Sequence, residues 1–491
     1  MTPNVPHMTP QQFRAAGHEL IDWIADYLAS LEHTPVTADT PPNSLYHAIP
    51  KTAPEHPEQW PAIWKDFQTH VLPRITHWQS PNFHAFFPCN SSPPAILGEL
   101  LSAGLGINGF LWQCSPAITE LEMAVMDALA QLIDLPQPFR FGNDPPTSQG
   151  GGVIHGTASE AVLTAIVAAR HRAANHHDTN TNESFTCYAS TQAHSSIVKA
   201  AMVSGIGRHN VRLIPTDDRL ALRPELIRDQ IQRDLDAGCT PTFICATLGT
   251  TSTGAFDPLH DIAAVRDHFA PRTRAPIWIH ADAAYAGAAM VCPEHRHISK
   301  GVEHADSFNF NPHKWLLTNF DCSAFWVRQR AALIDALAVT PAYLANKATA
   351  SGKVIDYRDW QIPLGRRFRA LKLWFVLRSY GSEGLRAYIR EHIRLAELFE
   401  SLVREDPRFE LPTPRSLSLV CFRLRAGDEP TRALAERVNA TRQTWLTTSL
   451  VPIGKDGTDR VVIRMAIGAT TTREHHVRNA WNLIASAASQ P

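Results

Sequence analysis

Apolar side chains recur at three- and four-residue spacing through Phe13, Leu20, Ile21, Ile24, Tyr27, Leu28 and Leu31, with Arg14, Glu19, Asp22 and Asp26 off that stripe. This spacing predicts an amphipathic helix, and Thr9, Pro10 and Gln12 supply a capping-box start for it. A proline-rich stretch follows (Pro35, Pro41, Pro42, Pro50, Pro54, Pro57, Pro61), which must run mostly extended. A short helical segment then carries Trp64, Phe67, Val71 and Leu72. Such an arm, residues 1–92, cannot bury a core of its own and is expected to pack on a partner subunit. From about 93 to 371 the pattern changes to short apolar runs, including Thr242–Thr247, Ile277–Asp282, Ser307–Phe310 and Ser323–Val327. Helix-length segments (Ile118–Leu132, Ser159–Arg170, Pro224–Leu235) separate them, which predicts an α/β fold with a mostly parallel, doubly wound sheet. A last region, 372–491, opens on the apolar helix Leu371–Tyr380. It carries strand-like Ser418–Arg423 and Arg460–Ala466, ends in a helix around Val477–Ala487, and reads as a small α+β domain.

Composition narrows the function. The chain has 491 residues, more than one core usually serves, and 44% are hydrophobic, so large cores can form. Lys+Arg 46 against Asp+Glu 47 provides no concentrated basic face, which argues against nucleic acid or a membrane surface as partner. None of the eight cysteines has C-x-x-C spacing, and they read as reduced thiols packed as small hydrophobes. No stretch approaches about 18 consecutive apolar residues and no secretory leader is visible, so a soluble, cytoplasmic protein is expected. No metal is expected: H-E-x-x-H is absent, and His295-x-His297 reads as surface.

The chemistry clusters at strand ends. Asn309-Phe310-Asn311-Pro312-His313-Lys314-Trp315 ends a strand, breaks it with Pro312 and presents a lysine. In an open parallel sheet ligands sit outside the strands' carboxyl ends, where a lysine can condense with a carbonyl cofactor. Alone, such a lysine fits a surface salt bridge better, because lysines after strands are common. Ile277–Asp282 is an apolar strand ending in a carboxylate, followed by Ala283, Ala284, Ala286 and Gly287, small residues that let backbone approach a ring. A buried aspartate there suits a protonated pyridine nitrogen, or else caps the next segment. Gly150-Gly151-Gly152-Val153-Ile154-His155-Gly156-Thr157-Ala158-Ser159-Glu160 reads as a glycine-rich turn into a capped helix, a phosphate cradle. His194 follows a short strand at Cys187-Tyr188-Ala189, and Thr250-Thr251-Ser252-Thr253-Gly254 brings hydroxyls to another sheet edge. Either could be structural alone. Together these sites carry phosphate, ring and lysine chemistry in one order along the chain.

These residues resemble the group II pyridoxal-phosphate decarboxylases, and among them the aromatic amino-acid decarboxylases. The resemblance rests on Asp306–Leu317, Asn319–Ala324, His280–Gly287 and Trp360–Phe368, and runs from the N-terminal helix to about residue 390. It implies a fold-type I pyridoxal-phosphate-dependent transferase fold, a homodimer with its active site at the subunit interface, and decarboxylation of an L-amino acid substrate. Lys314 would hold the cofactor covalently and Asp282 would pair with its ring nitrogen. His194 would stack on one ring face and Ala284 on the other. Ala158, Ser159, Asn311 and His313 would hold the phosphate region, with Thr251 beside the cofactor. Tyr343, in the small and polar Ala342–Lys353 stretch, matches a catalytic-loop tyrosine that donates a proton, aided by His194. Trp78, Phe86, Phe87 and Phe110 would line the side-chain pocket, Phe110 coming from the partner subunit. Cys89 stands where a threonine is usual and Asn108 where an isoleucine is usual, which leaves tyrosine, tryptophan, phenylalanine, dopa or a smaller polar amino acid open as substrate. Aldehyde-forming relatives often carry Phe at the loop tyrosine or Asn at the stacking histidine. This chain keeps Tyr343 and His194, so the amine-forming reaction is favoured.

Overall fold

The computed structural model describes residues 7–174, 184–454 and 457–490; residues 1–6 and 491, the ends of the expected arm and last region, lie outside it. The predicted N-terminal helix spans Pro10–Ser30, with Thr9 and Gln12 making both bonds of the capping box. Only Ala16 of this helix is buried, and Phe13 and Ile21 are exposed. The arm is pinned to its own chain further on: the Val36 N–H donates to Arg442 O at 2.8 Å, and Glu32 accepts from His475 at 2.7 Å. His476 Nε2 lies 3.3 Å from the same carboxylate. Its Nδ1 accepts the Arg473 N–H, which leaves the proton on Nε2, the wrong tautomer for a metal ligand there.

Seven strands form the central sheet: β1 (Gly151–His155), β2 (Phe185–Ser190), β3 (Val211–Ile214), β4 (Thr240–Thr247), β5 (Trp278–Asp282), β6 (Ser307–Phe310) and β7 (Ser323–Val327). Their order is β1-β7-β6-β5-β4-β2-β3, with β7 antiparallel to both neighbours and the other pairs parallel. Alternate residues of each strand feed two cores. Val153, Cys187, Phe243 and Cys245 face one, with helices Ala158–Ala173 and Ser196–Val203. Ile154, Tyr188, Ile244 and Ala246 face the other, with helices Pro116–Leu132 and Leu259–Phe269. This two-sided cover is why the strands read as continuous apolar runs.

A long helix, Arg369–Glu405, interrupted at Gly381 (φ 60°), leads to a second, antiparallel sheet. Its strands are β8 (Phe409–Glu410), β9 (Leu419–Leu424), β10 (Thr447–Val451) and β11 (Arg460–Ala466), in the order β10-β11-β9-β8. No helix among the described residues is long and apolar enough to cross a membrane.

The glycine run is not a turn: Gly151 and Gly152 lie inside buried strand β1. A Cβ on Gly152 would stand 2.6 Å from the Trp326 ring, and one on Gly151 2.4 Å from Phe141. These glycines admit large side chains against the strand; the turn itself begins only at Gly156.

Candidate active site

The carboxyl ends of β4, β5 and β6 stand level, with Thr247 opposite Asp282 and Asp282 opposite Asn309. β1 runs parallel to β6 through the antiparallel β7 between them, so its carboxyl end opens on the same edge. A cavity of about 200 Å³ lies there. Into it come Thr157, Ala158 and Ser159 after β1, His194 after β2, and Thr247, Gly249 and Thr251 at the end of β4. Asp282, Ala284 and Tyr285 enter from β5, and Asn311, His313 and Lys314 from β6, with Phe87 closing one wall. Every residue expected to meet the cofactor lines this one space.

Each is placed by local bonds. Thr157 caps the helix Ala158–Ala173, and Glu160 reaches back to the Gly156 N–H at 2.9 Å. The first N–H groups of this helix have no acceptor within it and open onto the cavity, where an anion fits. Asp282 Oδ1 accepts the Ala284 N–H at 3.0 Å. The Asn311 N–H donates to Ala284 O at 3.0 Å and the Lys314 N–H to Asn311 O at 2.9 Å, so the β5 and β6 exits are tied together. His313 Nδ1 accepts the Cys322 N–H at 2.9 Å, which leaves its proton on Nε2. Of the threonine loop only Thr251 reaches the cavity; the Thr250 hydroxyl bonds Thr253 and the Ala255 N–H. Of the small residues after Asp282 only Ala284 does. Gly287 instead admits Phe310, whose Cβ a side chain there would meet at 2.4 Å.

Burial pulls the Lys314 ammonium below its ordinary range; Asp282 opposes this and the Arg464 charge adds to it. A lysine so placed is more readily the free amine that attacks a carbonyl. Burial also lowers His194, against Asp282 and with Lys314. His313 falls to about 3, again mainly by burial. Two cavity-lining groups, Thr247 Oγ1 and Asn311 Oδ1, are buried with no hydrogen-bond partner among the described residues. A polar ligand would satisfy them.

Phe87 is 7% exposed and stacks on Tyr285 at 3.9 Å, which stacks on Trp315 at 5.1 Å. Lys314 Nζ lies 5.3 Å from the Phe87 ring centre. The other expected pocket residues do not line this cavity in the single chain. Trp78 and Phe86 are exposed and stack at 5.7 Å, and Phe86 meets Trp445 edge-on at 5.3 Å. Cys89 is half-buried and Phe110 partly exposed. Asn108 Oδ1 accepts the Arg366 N–H at 2.8 Å. Tyr343, 77% exposed, also stands outside the cavity.

One group went unrecognised in the sequence. Arg464 of β11 is 2% exposed and lies 5.0 Å from the Phe87 ring centre. Its Nη1 donates to Thr447 Oγ1 at 3.2 Å, while Nε and Nη2 have no partner among the described residues. The signal was an arginine inside the apolar run Val461–Ala466, since a buried charge almost always has a purpose.

Residues 42–425 match the sequence pattern of the pyridoxal-dependent decarboxylase conserved domain. The chain is 46% identical to phenylacetaldehyde synthase of Arabidopsis thaliana, over 98% of the chain and 97% of that protein. It is 45% identical to tryptophan decarboxylase 2 of Oryza sativa subsp. japonica (98% and 96%), and 46% to aromatic-L-amino-acid decarboxylase of Mus musculus (98% of each). The crystal structure of Oryza sativa TDC with PLP and tryptamine superposes with a TM-score of 0.92 at 41% identity, covering 99% of both chains. The matched stretch includes every strand that feeds the cavity, and the chain belongs to the pyridoxal-dependent decarboxylase family, a carboxy-lyase that works with pyridoxal 5'-phosphate.

Proposed function

We propose that this enzyme converts an aromatic L-amino acid (tyrosine, tryptophan, phenylalanine or dopa) to its amine and carbon dioxide. One observation carries this: Lys314 and Asp282, on adjacent strand ends, share a cavity walled by Phe87 on its aromatic stack. Aromatic walls suit an aromatic side chain. Relatives named tryptophan decarboxylase 2 and tyrosine decarboxylase 2, 45% and 44% identical, support the same class.

Bound pyridoxal phosphate supplies a protonated ring that accepts the electron pair released when the carboxylate departs. Lys314 would hold it through the ε-amine and Asp282 would keep the proton on its ring nitrogen. His194 and Ala284 would flank the ring, with Thr251 beside it. Ala158, Ser159, Asn311 and His313 would take the phosphate, whose charge suits the open helix N-terminus. Arg464, with two unpartnered donors beside Phe87, would anchor the substrate's carboxylate. Tyr343 would return a proton to the substrate's Cα, aided by His194.

Tyr343 and Phe110 stand outside their own chain's cavity, which supports a homodimer in which each copy lends them to the other. Leu97, Leu100, Leu101 and Leu105, exposed on helix Pro93–Leu105, offer apolar surface for that contact, as do Phe13 and Ile21 of the arm. The Asn108 amide oxygen already accepts the Arg366 N–H, while its Nδ2 donors would be available to a substrate. The chain would divide into an arm (1–92), a cofactor-binding region (93–371) and a small domain (372–491). Eight free thiols support a reducing, cytoplasmic setting.

The test is an amine-product screen of the purified protein with pyridoxal phosphate across the amino acids. Amine from an aromatic substrate is expected. Amine from a small polar amino acid alone overturns the substrate class. Hydrogen peroxide and ammonia released in step with substrate would instead mark an aldehyde synthase, the reaction named for the Arabidopsis relative.

A further inference from the structure

Asp356 is 7% exposed and joins two segments far apart in sequence. Its Oδ1 accepts the Trp112 N–H at 2.8 Å, and its Oδ2 accepts the Thr349 hydroxyl at 2.5 Å. Two residues on, the Arg358 N–H donates to Phe110 O at 3.2 Å, a second link to the same segment. Thr349 sits in the short turn Lys347–Ala350. Asn346 Oδ1 accepts the Thr349 N–H at 2.9 Å, and Asn346 Nδ2 donates to the Thr349 hydroxyl at 2.8 Å. That hydroxyl therefore accepts from Asn346 and has its one proton left for Asp356.

A carboxylate is costly to bury unless its oxygens are paired. Here one oxygen is taken by each segment. The Thr349 side leads back to Tyr343, and the Trp112 side leads back to Phe110. Between residues 341 and 353, Leu344 is the one buried side chain among the described residues, so packing alone holds this stretch weakly. The hydrogen bond to Asp356 ties down its far half.

We propose that Asp356 is a positioning residue that couples the Tyr343 loop to the Phe110 wall, so that proton donor and pocket wall are presented as one unit. This rests on the roles proposed above for Tyr343 and Phe110. Asp356 touches neither substrate nor cofactor; it acts through Thr349 and Trp112.

The discriminating variant is Thr349→Val, which keeps the shape and removes only the hydroxyl, with Thr349→Ser as the rescue that restores it. Tryptic cleavage after Lys347 or Lys353 is followed in cofactor-free and cofactor-loaded protein, beside kcat and KM for amine formation. Thr349→Val is expected to be cut about fivefold faster and to lose about fivefold in kcat with KM little changed, the weight of one hydrogen bond. Thr349→Ser should return both to wild-type. Unchanged cleavage or unchanged kcat in Thr349→Val, or a Thr349→Ser that fails to rescue, overturns the proposal. Tyr343→Phe is run in parallel. If it keeps full amine output, the role given to Tyr343 falls, while the cleavage and kcat of Thr349→Val still decide on the tether.

Discussion

Glu122 and Arg366, 244 positions apart, meet as an ion pair inside the core, their side chains 1% and 0% exposed. Glu122 Oε1 also accepts the Ile154 N–H of β1 at 2.7 Å, and Arg366 Nη1 donates to Gln361 at 2.5 Å. The guanidinium lies 4.7 Å from the Tyr357 ring centre. The pair bolts helix Pro116–Leu132 and the strand leading to the phosphate end of the site onto the segment before helix Arg369–Glu405. Glu122→Gln keeps the acceptor for Ile154 but leaves the guanidinium charge buried and uncompensated. It should cost about 3–5 kcal/mol in urea unfolding, and the double variant with Arg366→Met should recover much of that. A single-variant loss below ~1 kcal/mol would show that the pair is not desolvated.

The carboxylate-anchoring role proposed for Arg464 would separate carboxylate recognition from ring recognition. Arg464→Met keeps an unbranched, apolar stem and removes the donors. The amino acid should then bind about 10–100-fold more weakly, while the product amine, which has no carboxylate, binds as before. Dissociation constants measured for both ligands decide; equal weakening would place Arg464 in general packing instead.

Asp257 holds the end of β4. Its two oxygens accept the N–H groups of Thr247 and Leu222, both at 2.7 Å. Burial pushes its carboxyl up to about 7, against the pull of those two bonds. Asp257→Asn supplies one oxygen and turns an NH2 group toward the other N–H, loosening Thr247 and the Thr251 loop after it. Cofactor affinity should fall about tenfold, read as the pyridoxal-phosphate dissociation constant. Wild-type affinity would show that the loop is held elsewhere.

Acid should destabilise the protein before its ordinary carboxylates titrate, the raised Asp257 working in the opposite sense. Burial lowers His84, His313 and His392 to about 3 and His280 to about 4. Between those values and the ordinary ~6.5, the unfolded chain binds protons that the folded chain refuses, so stability rises with pH across this window and drains away as pH falls. Each histidine contributes up to ~1.4 kcal/mol per pH unit, about 5 kcal/mol per unit for the four together. Urea midpoints should drop steeply between pH 6 and pH 4.5. Midpoints that stay level from pH 7 to pH 5 would contradict the buried, neutral histidines.

Much of the architecture was legible locally. Ser307–Phe310 and Ser323–Val327 run as strands over the predicted bounds, and the helix expected at Pro224–Leu235 ends at Asp236. The lysine after β6 and the aspartate closing β5 are readable as a pair because a parallel sheet gathers the exits of its strands on one edge. The glycine run misled because glycine serves turns and close packing alike. Trp326, which fills the space at Gly152, lies 174 residues further on. Arg464 was missed because its neighbour Phe87 is distant in sequence, and no local pattern joins them.

The order of apolar and polar residues, with its caps and breakers, therefore determined the strands, the helices and which strand ends bear Lys314, Asp282 and His194. Those depend on contacts a few residues away. Tertiary structure decided the rest: the strand order, the level exits of β4, β5 and β6, the closing of Phe87 over the cavity, and the exclusion of Tyr343 and Phe110 from their own chain's site. Such relations come from register and packing between segments hundreds of residues apart, where only the assembled cores fix which side chains meet.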